Sequence, residues 1–384
     1  MFGKGITLFK LFGFEVKVDL SWLIIALLIS WTLAEGVFPQ QFEGYSARTY
    51  WLMGILGALG LFLSIVIHEM SHSMVARQFG LPIEGITLFV FGGVAHMHDE
   101  PENPKVEFWM AVAGPIASIV LGVVFFGIRY VGMRGGWPDP LVGVINYLGI
   151  INLVLAAFNL VPAFPLDGGR VLRSALWKWK KDLNRATKIA SRIGSIFGAV
   201  LIALGVLQLI AGAIIAGIWW ILIGMFLRSA SLNSYRQRLV KDIFAGEDVR
   251  HFMKENPVTV NPDLSMDKFV NSYVYEHHHD LYPVTRDSNV QGCVTTKDIK
   301  KVPRDEWSDH QVQEVMHECN EDNTIQADDD ANHALNLMKQ NRNSRLMVLD
   351  NDRLVGILTL KDMLSYLSLK LDLEEDQLAQ QAKS

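Results

Sequence analysis

WLMGILGALGLFLSIVIHEMSH, residues 51–72, is the stretch on which the reading of this chain turns. Residues 51–67 are apolar and uncharged, and His68-Glu69-Met70-Ser71-His72 follows without a break. A bilayer core about 30 Å thick takes about 20 apolar residues in helical form, so the run reads as a span ending in an ionisable motif. On a helix, positions i and i+4 share a face. His68 and His72 can therefore bind one Zn²⁺ while Glu69 acts as a general base. Ionisable side chains at a span's end are costly and mark function by default. The bland alternative, three polar residues snorkelling at the interface, explains neither their types nor their spacing.

The rest of the chain agrees with a membrane setting. Of 384 residues, 50% are hydrophobic and 20% charged, and the mean hydropathy is +0.22. An ordinary soluble chain is about 25% charged. A purely soluble, a disordered and a disulfide-stapled secreted protein are all excluded. Cys293 and Cys319 fall in the polar C-terminal part and read as reduced thiols. A net charge of −5 gives no sign of a nucleic-acid partner. Further apolar runs occupy 20–34 (extended by 36–38), 110–128, 141–166 and 193–227. The last would be about 52 Å long as one helix and is broken near Gly212 and Gly217, so it is expected to form two spans. The expected fold is a membrane α-helical bundle of six transmembrane helices with a short β element near the active site, followed by a soluble α/β domain. Residues 4–19 and 83–97 supply that β element. The second is too short to cross and is expected to pack on the bundle, because lipid satisfies no backbone groups; it reads either as a strand edge for substrate or as a structural hairpin.

Basic residues set the orientation. Arg170, Arg173, Lys178, Lys180, Lys181, Arg185, Lys188 and Arg192 face one acid, Asp182, between the fourth and fifth spans. The loops 36–50 and 132–140 have only Arg48 and Arg134. The positive-inside rule then puts both termini in the cytosol, in a multi-pass protein of the plasma membrane. The first apolar run lacks an Ala-x-Ala cleavage site and is expected to be retained.

A catalytic zinc needs a third protein ligand and an open position. Asp167 lies at matching depth and on the matching side, in Asn159-Leu-Val-Pro162-Ala-Phe-Pro165-Leu166-Asp167-Gly168-Gly169. Pro162 and Pro165 break the helix, and the glycines let the backbone turn the carboxylate inward. The competing reading is an ordinary helix cap. His96 and His98 form a His-x-His that is more simply an exposed loop.

Together these motifs resemble the site-2 protease family of intramembrane zinc metalloproteases over most of residues 3–229. The resemblance rests on the HExxH, Phe91-Gly92-Gly93-Val94, Ala113-Gly114-Pro115 and the N-x-x-P…L-D-G element. It implies one Zn²⁺ per chain held by His68, His72 and Asp167, with Glu69 as the base. It further implies that Asn159 positions substrate or polarises its carbonyl, against a purely structural role in the broken helix. The implied substrates are membrane-spanning proteins such as transcription regulators or anti-sigma-type factors.

After residue 234 the composition turns polar and a repeat appears. DVRHFM (248–253) returns as QVQEVM 63 residues later, and GCVTTKDI (292–299) as GILTLKDM 64 residues later. These units resemble a CBS-domain pair. That resemblance implies an adenine nucleotide, ATP foremost, at Thr295, Asp298, Thr359 and Asp362, and a homodimer through the CBS domains. The expected organisation is a protease domain at 1–232, a linker at 233–247, tandem CBS domains at 248–370 (248–303 and 311–368) and a polar tail at 371–384. The alternative, a CBS-gated channel or transporter, meets no inverted repeat of broken helices.

Overall fold

The computed structural model describes residues 6–11, 13–19, 21–81, 83–89, 92–97, 101, 103–287, 289–351 and 353–381. The chain forms two compact units, Met1–Arg238 and Leu239–Ser384.

The first unit opens with a hairpin, β1 (Ile6–Leu11) and β2 (Phe14–Val18), and then α1 (Ser21–Thr32). A π-type turn, Leu33–Val37, joins α1 to the short α2 (Phe38–Gln41). Next come α3 (Ala47–Gln78), β3 (Ile83–Phe89), β4 (Gly92–Met97), α4 (Pro104–Arg134) and α5 (Asp139–Asn159). The unit ends with α6 (Asp167–Lys180), α7 (Leu183–Ile210) and α8 (Ile214–Ile243). Among the described residues, six helical segments are long and apolar enough to span a bilayer: Ser21–Gln41, Ala47–Gln78, Pro104–Arg134, Asp139–Asn159, Leu183–Ile210 and Ile214–Ile243.

The helix ends follow from local chemistry. Ser46, Asn103 and Asp182 each accept a backbone N–H three residues on, capping α3, α4 and α7. These polar starts extend the helices beyond the apolar runs, and α4 begins six residues before residue 110. The break in the long apolar run sits at Gly212, whose φ of +85° an L side chain rarely adopts. Gly217 lies inside α8 instead, with its backbone close against Gly205.

The four strands form one sheet in the order β1-β2-β3-β4, parallel only between β2 and β3. Val16 and Val18 of β2 pack on Val66 and Met70 of α3. Arg77 of α3 stacks 3.8 Å above the Phe14 ring. The sheet is thus seated on the turn of α3 that carries the HExxH. On its other side, Asn152 of α5 donates through Nδ2 to Ser64 Oγ of α3 at 2.9 Å, one turn before His68.

In the second unit the repeats are interleaved. It contains β5 (Lys254–Glu255), α9 (Met266–Phe269), α10 (Tyr275–His277), β6 (Leu281–Arg286), β7 (Asn289–Thr295) and α11 (Thr296–Ile299). Then follow β8 (His317–Glu318), β9 (Thr324–Gln326), α12 (Ala331–Gln340), β10 (Arg345–Asp350), β11 (Arg353–Thr359) and α13 (Leu360–Gln381). One sheet runs β5-β11-β10-β9 and the other β6-β7-β8. The leading strand of each repeat therefore pairs with the last strand of the other. α13 carries helix on to Gln381, into the polar tail expected at 371–384.

Candidate metal centre

His68 and His72 lie one turn apart on α3, their rings 4.9 Å apart and steeply inclined at 77°. Asp167 is the first residue of α6 and reaches both: its Oδ2 lies 3.1 Å from His68 Nε2 and 3.2 Å from His72 Nε2. Among the described residues these three form one group of potential ligands, with all donor atoms within 4.8 Å of one another. Tetrahedral ligands about 2.0–2.1 Å from a zinc ion stand about 3.3 Å apart. The observed separations match that spacing.

Protonation chemistry points the same way. His72 Nδ1 lies 2.6 Å from the carbonyl oxygen of Met110. A carbonyl only accepts, so Nδ1 carries the hydrogen and the Nε2 of the neutral ring presents a lone pair. Nε2 is thereby the nitrogen turned toward the carboxylate oxygen, 3.2 Å away, and in the neutral ring it is the one free to ligate a metal ion. His68 Nδ1 is held in turn by Ser118 Oγ at 2.8 Å. Outer partners of this kind orient ligating imidazoles and fix their tautomers.

Space is reserved as well. A β-carbon at Gly114 would lie within 2.6 Å of His68 Nε2 and closer still to His72 Nε2. Glycine in α4 thus leaves open the place where the three donors converge. The donor set, the tautomer and the cradle all fit a zinc ion.

Asp167 is delivered by the loop between α5 and α6. Leu160–Leu166 folds back so closely that a β-carbon on Gly168 would meet the Leu160 carbonyl, and one on Gly169 the Phe164 backbone. Ser231 of α8 donates to the Phe164 carbonyl, and Gly194 of α7 leaves room for that approach. The loop is therefore gripped from α6, α7 and α8 at once.

Glu69 lies beside the triplet, within electrostatic reach of His68, His72, Asp167 and Arg170. Asn159 closes α5, and its Nδ2 donates to Leu155 O at 3.1 Å in its own helix. His98 and Phe91 lie outside the described residues. Met110, Gly114 and Ser118, which surround the imidazoles, were not singled out as site residues from sequence. Their spacing of four along α4, with Gly114 inside Ala113-Gly114-Pro115, was the available signal.

The nucleotide candidates differ between the repeats. Asp298 is buried, its side chain 2% exposed. Its Oδ2 accepts from the Thr295 backbone N–H and hydroxyl, while Oδ1 takes Lys301 and His317. Burial alone would raise this carboxyl, but hydrogen bonds from Lys301, Thr295 and His317 outweigh it and hold the pKa at about 2. Asp362 is 24% exposed, bonded to Thr359 Oγ1 and paired with Lys254 at 3.3 Å. Lys254 and His317 are equivalent positions of the repeat, so each signature aspartate meets a side chain from the other repeat's leading strand.

Apolar spans enclosing an HExxH helix and an inward aspartate define a membrane-embedded zinc metallopeptidase. The sequence profile of Peptidase family M50 matches residues 56–134 and 138–201, and that of the CBS domain matches 248–305 and 312–369. The chain is 34% identical to Rip3 of Mycobacterium tuberculosis over 363 residues, 94% of this chain and 92% of Rip3. It is 29% identical to the zinc metalloprotease MJ0392 of Methanocaldococcus jannaschii over 378 residues, 97% of this chain and 98% of the relative. A solved site-2 protease from the same archaeon aligns at 29% identity with a TM-score of 0.43, covering 61% of this chain and 96% of that one. The chain belongs to peptidase family M50, the site-2 proteases, and carries a pair of CBS domains. It is a zinc metalloprotease and a multi-pass membrane protein.

Proposed function

We propose that this enzyme cleaves peptide bonds of membrane-spanning substrate proteins at a zinc ion held by His68, His72 and Asp167. The observation that carries this reading is the convergence of three ligand atoms from two separate elements around a gap kept open by Gly114. Zinc, when bound, supplies Lewis-acid polarisation of the scissile carbonyl and makes water a nucleophile near neutral pH. Glu69 takes the proton of the attacking water on its carboxylate and returns it to the leaving amine. Ser118 and the Met110 carbonyl hold the imidazoles in orientation while this happens. Asn159 contributes to substrate positioning at the end of α5. The substrate must unwind locally, because a helix turns its carbonyls into its own hydrogen bonds.

Both termini are assigned to the cytosol and the protein to the plasma membrane, on the basis of the basic loop between the fourth and fifth spans. Substrates are single- or few-span regulators whose cleavage frees a cytosolic fragment. The CBS pair takes an adenine nucleotide, ATP foremost, and joins two copies of the chain. Thr359 and Asp362 are the more accessible half of that nucleotide site. Thr295 and Asp298 engage only once His317 and Lys301 release the buried carboxylate. The deciding experiment is zinc content and cleavage of a model transmembrane substrate by the purified chain, compared with Glu69→Gln. Cleavage by the variant at the wild-type rate would overturn the reading.

A further inference from the structure

We propose that Glu107 and Arg173 form a positioning clamp that sets Asp167 against the two imidazoles; the inference rests on the ligand assignment above. Arg173 counted among the basic residues that orient the chain, yet its side chain is only 7% exposed, and that of Glu107 1%. Lys178 and Lys180, further along α6, are exposed as interface anchors should be. Arg173 instead turns inward from α6 to α4. Its Nε donates to Glu107 Oε1 at 2.5 Å, and a second guanidinium nitrogen bonds the same oxygen. Among the described residues Glu107 Oε2 has no hydrogen-bond partner, and Arg173 is the cation paired with this buried carboxylate.

The location gives the pair its meaning. Glu107, Met110, Gly114 and Ser118 follow one another at three- and four-residue intervals, a single stripe of α4. Met110 orients His72, Gly114 borders both Nε2 atoms, and Ser118 orients His68. Glu107 begins the same stripe and grips the helix that delivers Asp167. Arg173 also lies 5.1 Å above the Phe164 ring, in the loop just before Asp167. One guanidinium thus ties α4, α6 and the delivering loop together. Asp167 is six residues before it, about 9 Å along the same helix. A buried ion pair gives little net stability over apolar side chains of similar volume. Its use here is registry: it fixes where α6 begins relative to α4, and with it the distance from carboxylate to imidazoles.

The test uses the full-length chain in detergent, stripped of metal and titrated with Zn²⁺ and with Co²⁺, whose visible absorption reports ligand geometry. Glu107→Ala would strand a buried guanidinium, so the paired change Glu107→Leu with Arg173→Met is used, which removes both charges together. The expected result is an unchanged unfolding temperature of the metal-free protein, a 10- to 100-fold rise in the metal Kd, about the size of outer-partner effects, and an altered Co²⁺ spectrum. Should the paired variant unfold at a lower temperature, Arg173→Lys decides, since it keeps a positive charge for Glu107 while giving up the two-nitrogen grip and the stacking on Phe164; a raised Kd is again expected. A wild-type Kd and Co²⁺ spectrum in the deciding variant, with metal lost in Asp167→Ala, overturns the clamp and leaves the ligand assignment standing. A wild-type Kd in Asp167→Ala overturns the ligand assignment, and the clamp with it.

Discussion

Glu69 and His68 are adjacent in the chain, yet removing each should break a different part of the reaction. Glu69→Gln keeps shape and removes only a proton acceptor, so zinc stoichiometry should stay at the wild-type value while turnover falls by about 10²- to 10⁴-fold. His68→Ala leaves two protein ligands and should lose zinc together with activity. Metal analysis of both purified variants beside a cleavage assay checks this, and zinc lost from Glu69→Gln would make it a ligand. Asp167 and Asp182 make a second contrast. Asp182 caps α7 by accepting the Arg185 N–H at 2.9 Å, so Asp182→Ala should cost about 1 kcal/mol of stability and no zinc. Asp167→Ala should weaken zinc binding strongly with the helices intact. Equal zinc contents in the two variants would refute the assignment of Asp167.

At the scale of elements, Gly114 separates helix stability from metal binding. Alanine is the better helix former by about 1 kcal/mol, so Gly114→Ala should leave α4 formed. Its β-carbon would nevertheless stand within 2.6 Å of His68 Nε2, in the place kept open between the donors. Circular dichroism should stay wild type while zinc is lost, and a full zinc complement would show that the centre lies elsewhere. α11 offers a test in acid. The Asp298 pKa of about 2 lies below its ordinary 3.8, so its carboxylate stabilises the fold above pH 3.8 and that contribution fades as pH falls through 2. The difference is worth at most about 2 kcal/mol, reduced by solvent screening. Asp298→Asn should therefore loosen residues 292–299 at neutral pH by up to that amount and flatten their acid response, read by hydrogen exchange corrected for the intrinsic rate. An unchanged pH profile would mean that Thr295, Lys301 and His317 do not hold this carboxylate in solution. These elements also show what sequence makes legible. Hydropathy located the six spans because lipid demands about 20 apolar residues, and the i, i+4 histidines announced a shared face. Hydropathy could not reveal that Arg173 and Glu107 are buried, since a charge within a basic loop looks solvated until its partner 66 positions away is placed beside it. The closure of Asp298 by His317 escaped for the same reason, because it depends on a strand exchanged between repeats.

For the molecule as a whole, the question is whether the CBS unit governs the protease. α8 is the last span and runs on to Ile243, past the boundary of the first unit at Arg238, so the covalent link is helical where it leaves that unit. A helix transmits a displacement that a flexible linker would absorb. Regulation still requires that nucleotide bind one arrangement of the chain more tightly than another, since equal affinity shifts no equilibrium. A differential of about 1–3 kcal/mol would change activity by about 5- to 150-fold. The two aspartates predict how that effect divides. Asp362 is the more exposed and, among the described residues, is met by Thr359 and Lys254, so Thr359→Ala with Asp362→Ala should abolish ATP binding and leave a cleavage rate independent of ATP. Asp298→Ala should chiefly loosen its own repeat and lower the ATP affinity, because that carboxylate is already engaged by three side chains. Calorimetric titration of the full-length chain with ATP, ADP and AMP, paired with cleavage rates at the same concentrations, separates these outcomes. Tight ATP binding with an unchanged rate would leave the CBS pair as an assembly module, and wild-type ATP binding by the Thr359→Ala, Asp362→Ala variant would place the nucleotide elsewhere in the unit.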